Sequence, residues 1–570
     1  MSHIDDITLP NAPLTRSYLY GAPKTPLVDM TLAEALNKTT EKYPEKIAIT
    51  YLDPTQETSH SMTFLEWQKS SKNLAASLKK MGITSRHHVA ILAPNCKEFL
   101  IATWGLFYIG ATAVFLSHEL KSGEDILGKL KATKCKGLII FNDDGPMVSS
   151  IIETILFDPK CRVPTRFIVT IGQSTHDGIH SLQTLINSAR EADLSNLERA
   201  TGGNLSGNND AIVCFTAGTT GNPKAVPLNH VSLINAFTFI LRRFGIDDQQ
   251  VFFNDRPLTW LGGFLSPLCA VLFGARVVSV DTSKTVNQHD TEFILGTMNR
   301  EDVTHAMTLP YLLYDIVHFG EKSEYKLRHL KAIFVSGQMV PSNLVADMIA
   351  AYPNITAFNA YGNTETSGPI VTIFAGENLM QDGSVTVGLP IPHCEVKIID
   401  SNDKITPINE SGEVCLRGPN WVSRPYRDSE GWFRTGDIGK MSTNGRLFIL
   451  GRCKDMIKRG TRSILPSYLE TVIATHPSVE SVCVVGVPDE RLYEEICACI
   501  VVKAGATLTA EDMTSWCDEV FAAEGTADGM SMAPKYFIFV DSLPVATIGK
   551  IDRKNLWDHA VTTLGIQVRQ

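Results

Sequence analysis

No basic arm or lysine-rich block occurs anywhere in the 570-residue sequence, and the formal net charge is −9. Binding to nucleic acid needs a concentration of Lys and Arg to neutralise phosphates, so no nucleic-acid partner is expected. Any anionic ligand must be met by local donors. Paired cysteines are missing too: the twelve cysteines are scattered without a CxxC, and Cys497 and Cys499 fall on one face of a strand in ICACIVV. That usage points to reduced thiols and away from a disulfide frame or a structural zinc site. The first twenty residues hold two aspartates and one arginine, and the chain ends in QVRQ. They read as neither a secretory signal, a mitochondrial presequence nor a peroxisomal tripeptide, so a cytoplasmic location is expected. Long apolar runs are nearly absent. The one that could just span a bilayer, FLIATWGLFYIGATAVFLS from Phe99 to Ser117, contains Gly105 and Gly110. Its second half reads as a turn followed by a buried strand, so no stable membrane insertion is expected.

What is present is an alternation of helical and strand-like segments. SSKNLAASLKKMG reads as a helix closed by Gly82, and HVAIL and KGLIIF read as strands. Such alternation indicates an α/β architecture, and the length suggests roughly three or four compact units. The polar stretch EADLSNLERATGGNLSGNND, Glu191 to Asp210, reads as a surface connection. A boundary is expected near Gly451. Before it lie the short strands GEVCLRG and GRLFILG; after it come the basic GRCKDMIKRG, a helix at SYLETVIATH, and strands at VCVVGV, CACIVV and YFIFV. The expected division is a large multi-sheet domain over 1–451 and a smaller α+β domain over 452–570, with a cleft between them.

One loop carries several donors in a short space. FTAGTTGNPKAV, Phe215 to Val226, follows the apolar run AIVCF and precedes HVSLINAFTFILRRFG, a helix that Asn229 can cap and Gly245 can end. Gly218 and Gly221 let backbone N–H groups approach a ligand, Thr216, Thr219 and Thr220 add hydroxyls, and Lys224 adds a charge. The pattern is not GxxxxGK[ST], because the lysine follows a proline. By itself the loop suits an ordinary surface turn as well as a phosphate site.

Four further stretches decide between those readings: AFNAYGNTETSG (Ala357–Gly368), GWFRTGDIG (Gly431–Gly439), GRCKDMIKRG (Gly451–Gly460) and LPVATIGKIDRK (Leu543–Lys554). With the loop, in this order and spacing, they resemble the adenylate-forming superfamily of acyl-CoA synthetases, luciferases and peptide-synthetase adenylation domains. Within it the chain is most similar to the medium-chain acyl-CoA synthetase family member 2 group, through LTRSYLYG and GVPDERLYEEICACI. The resemblance implies an α/β fold with a mobile C-terminal domain, and ATP, Mg2+ and coenzyme A acting on a carboxylic acid, fatty or another small organic acid. It implies adenylation of the acid followed by transfer of the acyl group to the CoA thiol. It assigns Lys550 to the carboxylate and α-phosphate, and Thr216, Gly218, Thr219, Thr220, Gly221 and Lys224 to the ATP phosphates. Thr364 goes to phosphate, Glu365 to magnesium, Tyr361 to adenine, Asp437 to the ribose hydroxyls, Arg452 to the nucleotide and Lys454 to the hinge. Trp260, Gly263, Ser336, Gly337 and Gln338 would line the acyl pocket. The group's likeness also leaves the mitochondrial matrix open as a location. Nothing in the sequence specifies an oligomer.

Several positions depart from the family pattern. Ala217 and Ala225 stand where serine and glycine are usual, Trp260 replaces a histidine, and Gln338 replaces a small residue. The last two changes suggest a short, partly polar or unusual acid, or simply compensated repacking. Thr461 replaces a glycine on the implied route of the pantetheine arm, and RGPNWVSRPYRDSEG, Arg417 to Gly431, is short. Thioester formation is therefore less firmly implied than adenylation. The alternatives are an adenylating enzyme with another second step, such as luciferase-like oxygenation or stand-alone adenylation, and a catalytically impaired nucleotide-binding homologue.

Overall fold

The computed structural model describes residues 7–53, 58–118, 120, 122–142, 145–158, 161, 163–173, 179–201, 205–216, 224–288, 290–320, 327–374, 377–381, 383–419, 421–460, 462–522, 531–545 and 551–566. Two large sheets dominate. A seven-stranded sheet runs in the order His180–Ser181, Phe167–Ile171, Gly137–Phe141, His88–Leu92, Thr112–Leu116, Asp210–Thr216, Lys224–Asn229. All neighbours are parallel except the last pair. A nine-stranded sheet has a parallel centre made of Thr356–Asn363, Ala332–Ser336, His305–Thr308, Val251–Asn254, Arg276–Val280 and Ile47–Asp53, with antiparallel strands at both edges. Helices cover both faces of such sheets, which is why HVAIL, TAVFL and GLIIF are apolar without alternation.

The uncharged run from Phe99 to Ser117 is core. It folds as the helix Lys97–Ile109, then Gly110 in the left-handed region with φ 80°, then the buried strand Thr112–Leu116. Trp104 meets Trp67 edge-on at 4.5 Å, and its indole N–H donates to the Leu32 carbonyl at 3.1 Å. Among the described residues no helix is long and apolar enough to cross a membrane.

The stretch read as a surface connection is half helical. Glu191–Thr201 forms a helix that packs against the long helix Phe64–Lys80, and Leu197 enters the core. Acidic residues in the first turn suit the helix N-terminus, and one buried leucine suffices to dock a mostly polar helix, a signal too sparse to register as a period.

A five-stranded antiparallel sheet follows, in the order Tyr18–Tyr20, Glu395–Ile399, Gly412–Arg417, Phe433–Met441, Leu447–Arg452. Its last residue is Arg452, and after the 3-10 turn Cys453–Asp455 the next sheet begins at Ile457. That sheet, built on the long strands Val479–Asp489 and Tyr493–Val502, carries its own apolar clusters on its two faces. Ile496, Ala498 and Ile500 face the helices Pro466–Ile473 and Ala510–Ala522, whereas Cys497 and Cys499 face the helix Arg553–Thr563. The alternation along Tyr493–Val502 places the two cysteines on one side, as the sequence indicates. A separate core marks a separate, smaller domain.

Candidate active site

The donor-rich loop is flanked by two paired antiparallel strands. Thr216 ends one strand and Lys224 opens the next; the two are paired across the antiparallel ladder, and Lys224 is exposed. Gly218, Thr219, Thr220 and Gly221 lie outside the described residues. From the residues alone the loop leads directly into a helix, whereas the structure interposes the strand Lys224–Asn229. Pro227 hid it, but proline is compatible with a strand at a sheet's edge, which this is. Asn229 then caps the helix His230–Arg243, its Oδ1 accepting the Ser232 N–H at 2.8 Å.

That edge strand is clasped from far along the chain. The Tyr426 hydroxyl donates to the Ala225 carbonyl at 3.0 Å, and the Ser423 hydroxyl donates to the Pro227 carbonyl at 2.7 Å. The Ser423 N–H in turn donates to the Glu365 carbonyl at 2.7 Å. The short Arg417–Gly431 segment therefore joins the hairpin to the TET turn. The segment's length is visible in the sequence, but the roles of Ser423 and Tyr426 are not, because no local pattern marks a contact of this kind.

The strand Thr356–Asn363 delivers Tyr361, and the 3-10 turn Thr364–Thr366 follows it. Thr366 Oγ1 accepts the Asn363 N–H at 2.9 Å, which closes this turn around the half-buried Thr364 and Glu365. Gly362 cannot carry a side chain: a Cβ there would stand 2.1 Å from the Gly368 carbonyl oxygen. Asp437, on Phe433–Met441, is 4% exposed. Its Oδ2 accepts the Tyr361 hydroxyl at 2.7 Å, and its Oδ1 lies 2.7 Å from Arg452 Nε. Arg452 is opposite Asp437 in the ladder, so register alone brings the pair together. A buried carboxylate needs such partners. Burial, reinforced by the Asp437 charge, pushes the Tyr361 phenol well above its usual range, so it stays a donor.

Three more expectations concern the far ends of the site. Trp260, half-buried, precedes the helix Leu261–Phe273 after the strand Val251–Asn254, while Ser336, Gly337 and Gln338 follow Ala332–Ser336. Those strands are parallel and separated only by His305–Thr308, so all these residues lie on the C-terminal rim that also bears Tyr361. Such rims are where open α/β sheets bind ligands. Gly263 is buried, and a Cβ there would stand 2.0 Å from the Pro257 carbonyl oxygen. Lys454 is exposed on the turn between the two domains. Lys550 and Thr461 lie outside the described residues. The flanks of the Lys550 segment, Val545 and Ile551, form an antiparallel bridge.

Arg553, three residues past Lys550, was not singled out by sequence. Its guanidinium lies 2.8 Å from Glu470 Oε1, donates to the Val484 carbonyl at 2.7 Å, and reaches 4.0 Å from Asp455 beside Lys454. The basic residue directly after GKID was the available signal.

Among the described residues no three metal-ligating side chains converge. Glu365 and Thr364 nevertheless offer hard oxygen donors of the kind Mg2+ takes, since that ion is usually held by one or two carboxylates with water and substrate phosphates completing its shell.

The sequence matches the AMP-binding enzyme family over residues 36–427 and its AMP-binding enzyme C-terminal domain over residues 468–550. The chain belongs to the AMP-binding enzyme family. Similar proteins include the putative acyl-CoA synthetase YngI of Bacillus subtilis, 27% identical over 95% of this chain and 100% of that protein. The mitochondrial medium-chain acyl-CoA ligase ACSF2 of Danio rerio is 26% identical over 99% of this chain and 94% of its own. The fold is shared with the anthranilate CoA ligase AuaEII in complex with anthranoyl-AMP, at TM-score 0.78 and 21% identity over 95% and 99% of the two chains. ATP-bound MatB from Rhodopseudomonas palustris gives 0.76 and 20% over 93% and 99%.

Proposed function

We propose that the protein is an ATP-dependent acid:CoA ligase that activates a carboxylic acid as acyl-AMP and transfers the acyl group to coenzyme A. The observation that carries the reading is the buried Asp437 carboxylate of the antiparallel sheet, bracketed by Arg452 of the same sheet and by Tyr361 from the rim of the parallel one, in a chain of the AMP-binding enzyme family. A carboxylate there can take two ribose hydroxyls, and an aromatic ring beside it can lie against a base.

In the first step a carboxylate oxygen of the acid attacks the α-phosphorus, and the bond from that phosphorus to the bridging oxygen of pyrophosphate breaks. No proton moves, so what the protein must supply is position and positive potential where two anions meet. Lys550 is the cation for the carboxylate and α-phosphate, with Thr216, Gly218, Thr219, Thr220, Gly221 and Lys224 around the departing phosphates. Mg2+, held by Glu365 with Thr364 beside it, would neutralise phosphate charge. In the second step the CoA thiolate attacks the acyl carbon and AMP leaves. Lys454 is the hinge, and the proposed division into 1–451 and 452–570 falls one residue before the strand that ends at Arg452 gives way to the turn Cys453–Asp455. All twelve cysteines are free thiols, which supports a reducing compartment, and we assign the cytoplasm.

ATP–pyrophosphate exchange over a panel of carboxylic acids, followed by thioester detection with CoA, tests the reading. Exchange with at least one acid is expected, and its absence with all of them refutes the ligase. Lys550→Ala should lower exchange by about 100-fold or more while leaving ATP binding in place. Exchange without thioester would instead favour an enzyme whose second step Thr461 has altered.

A further inference from the structure

The rim that bears Trp260 also holds a charged pair that adenylation does not use. Asp255 and Arg256 follow the strand Val251–Asn254, and their side chains are only 1% and 4% exposed. Arg256 Nε donates to Asp255 Oδ1 at 2.8 Å, and Nη2 reaches Oδ2 at 3.5 Å. No acceptor among the described residues engages Nη1. The backbone carrying the pair is pinned: Asn95 Nδ2 donates to the Arg256 carbonyl at 3.0 Å, Asn95 Oδ1 accepts the Leu258 N–H at 2.8 Å, and the Thr285 hydroxyl donates to the Asp255 carbonyl at 2.5 Å. The guanidinium is thus held in place.

Its free end lies against the first turn of the helix that Trp260 opens. The position a Cβ would take on Gly262 is 3.4 Å from Arg256 Nη1 and 3.4 Å from Met307 Cε, and Met307 is opposite Asn254 on the adjoining strand. A methyl on Gly262 would sit in contact with that end of the guanidinium, between Trp260 and Gly263 of the candidate acyl pocket. A second buried donor, the Thr259 hydroxyl, also lacks a partner among the described residues.

A plain alkyl chain packed here would seal unpaired N–H groups away from water, at a cost comparable to a lost hydrogen bond to a charged group. An oxygen acceptor on the ligand removes that cost. Asp255 already neutralises Arg256, so a second carboxylate would add an uncompensated negative charge beside Asp255 in a water-poor site, whereas a hydroxyl or carbonyl oxygen adds none.

We propose that Arg256, held by Asp255, reads a neutral oxygen acceptor on the acid, so that the substrates are hydroxy- or oxo-carboxylic acids with that oxygen remote from the reacting carboxyl. The inference rests on the acid-activating function above and names its substrate class.

The test is kcat/KM in ATP–pyrophosphate exchange for alkanoic acids, their hydroxy and oxo counterparts of equal length, and dicarboxylic acids of equal length. The wild-type enzyme should favour the hydroxy or oxo member of a matched pair by about 10-fold or more, the size of one charge-assisted hydrogen bond. In the double variant Asp255→Asn/Arg256→Gln, which removes both charges together, that ratio should fall to within about threefold of unity. Arg256→Lys, which keeps the charge and shortens the reach, should give an intermediate ratio. If the double variant does not fold, the wild-type preference and the Arg256→Lys ratio decide the matter. A wild-type preference for the alkanoic or dicarboxylic member, or a ratio unchanged in the variants, overturns the proposal while leaving the ligase intact. Absence of exchange with every acid overturns both.

Discussion

Asp437→Asn isolates the role of the carboxylate that joins two sheets. In the protein its two oxygens accept one phenol and one guanidinium N–H, each at 2.7 Å. The amide keeps the shape, turns one acceptor into a donor and removes the charge. Hydrogen bonds to a charged group are worth about 1.5–3 kcal/mol each, roughly twice a neutral one. Losing charge assistance on both ribose hydroxyls should therefore cost about 1.5–3 kcal/mol, or roughly 10- to 150-fold in kcat/KM for ATP. Stability should change little, because Arg452 is 40% exposed and can turn to water. The assay is ATP–pyrophosphate exchange at saturating acid with ATP and with 2′-deoxy-ATP, alongside thermal unfolding. The wild-type enzyme should discriminate against the deoxy nucleotide, and the variant should have lost most of that discrimination. A variant with wild-type kcat/KM for ATP, or one that still penalises 2′-deoxy-ATP in full, would refute the assignment of Asp437 to the ribose.

Two further predictions concern the fold beneath the site. Gly263→Ala would force a methyl to within 2.0 Å of the Pro257 carbonyl oxygen, so the backbone turn before Trp260 must shift; a loss of about 1–3 kcal/mol in urea unfolding and a changed acid profile are expected, and unaltered values for both would contradict the close approach. His230 is buried and neutral: its Nδ1 accepts the Leu32 N–H at 3.3 Å, and burial lowers its pKa from 6.5 to about 3. Because the unfolded chain takes up a proton near 6.5 and the folded one does not, its contribution is complete above that pH. It is lost at about 1.4 kcal/mol per unit as the pH falls toward 3. His305, lowered to about 4 by burial, acts in the same sense. His230→Asn should flatten the stability loss between pH 7 and pH 5 by about 2 kcal/mol relative to wild type, and equal slopes in urea unfolding would disprove it.

The parts of the molecule readable from sequence are those in which local period and function coincide. HVAIL, KGLIIF and the capped helix after Asn229 announce themselves by apolar runs and end signals, and the helix-then-strand reading of Phe99 to Ser117 follows from one glycine in the left-handed region. The helix Glu191–Thr201 was missed because a mostly polar surface helix and a polar loop have nearly the same composition. The strand Lys224–Asn229 was missed because Pro227 reads as a breaker until its place at the sheet edge is known. Ser423 and Tyr426 could not have been found, since their partners lie 196 and 201 residues away and are backbone carbonyls, which no residue pattern encodes. The opposition of Asp437 and Arg452 depends on the register of one hairpin, a property of its turn and bulge as much as of the residues themselves.

The clasp on the strand Lys224–Asn229 matters for more than the site beside it. A strand that ends a sheet normally presents free carbonyls and N–H groups to which a second chain can pair. Here Pro227 has no N–H, and the outward carbonyls of Ala225 and Pro227 are already taken by Tyr426 and Ser423. The seven-stranded sheet therefore offers no template along this border while the 421–427 segment stays in place. Removing the two hydroxyls alone would bare the border while Trp421, buried in the core, still anchors the segment, so the first sign of damage there would be turbidity, with molecules joining edge to edge while still folded.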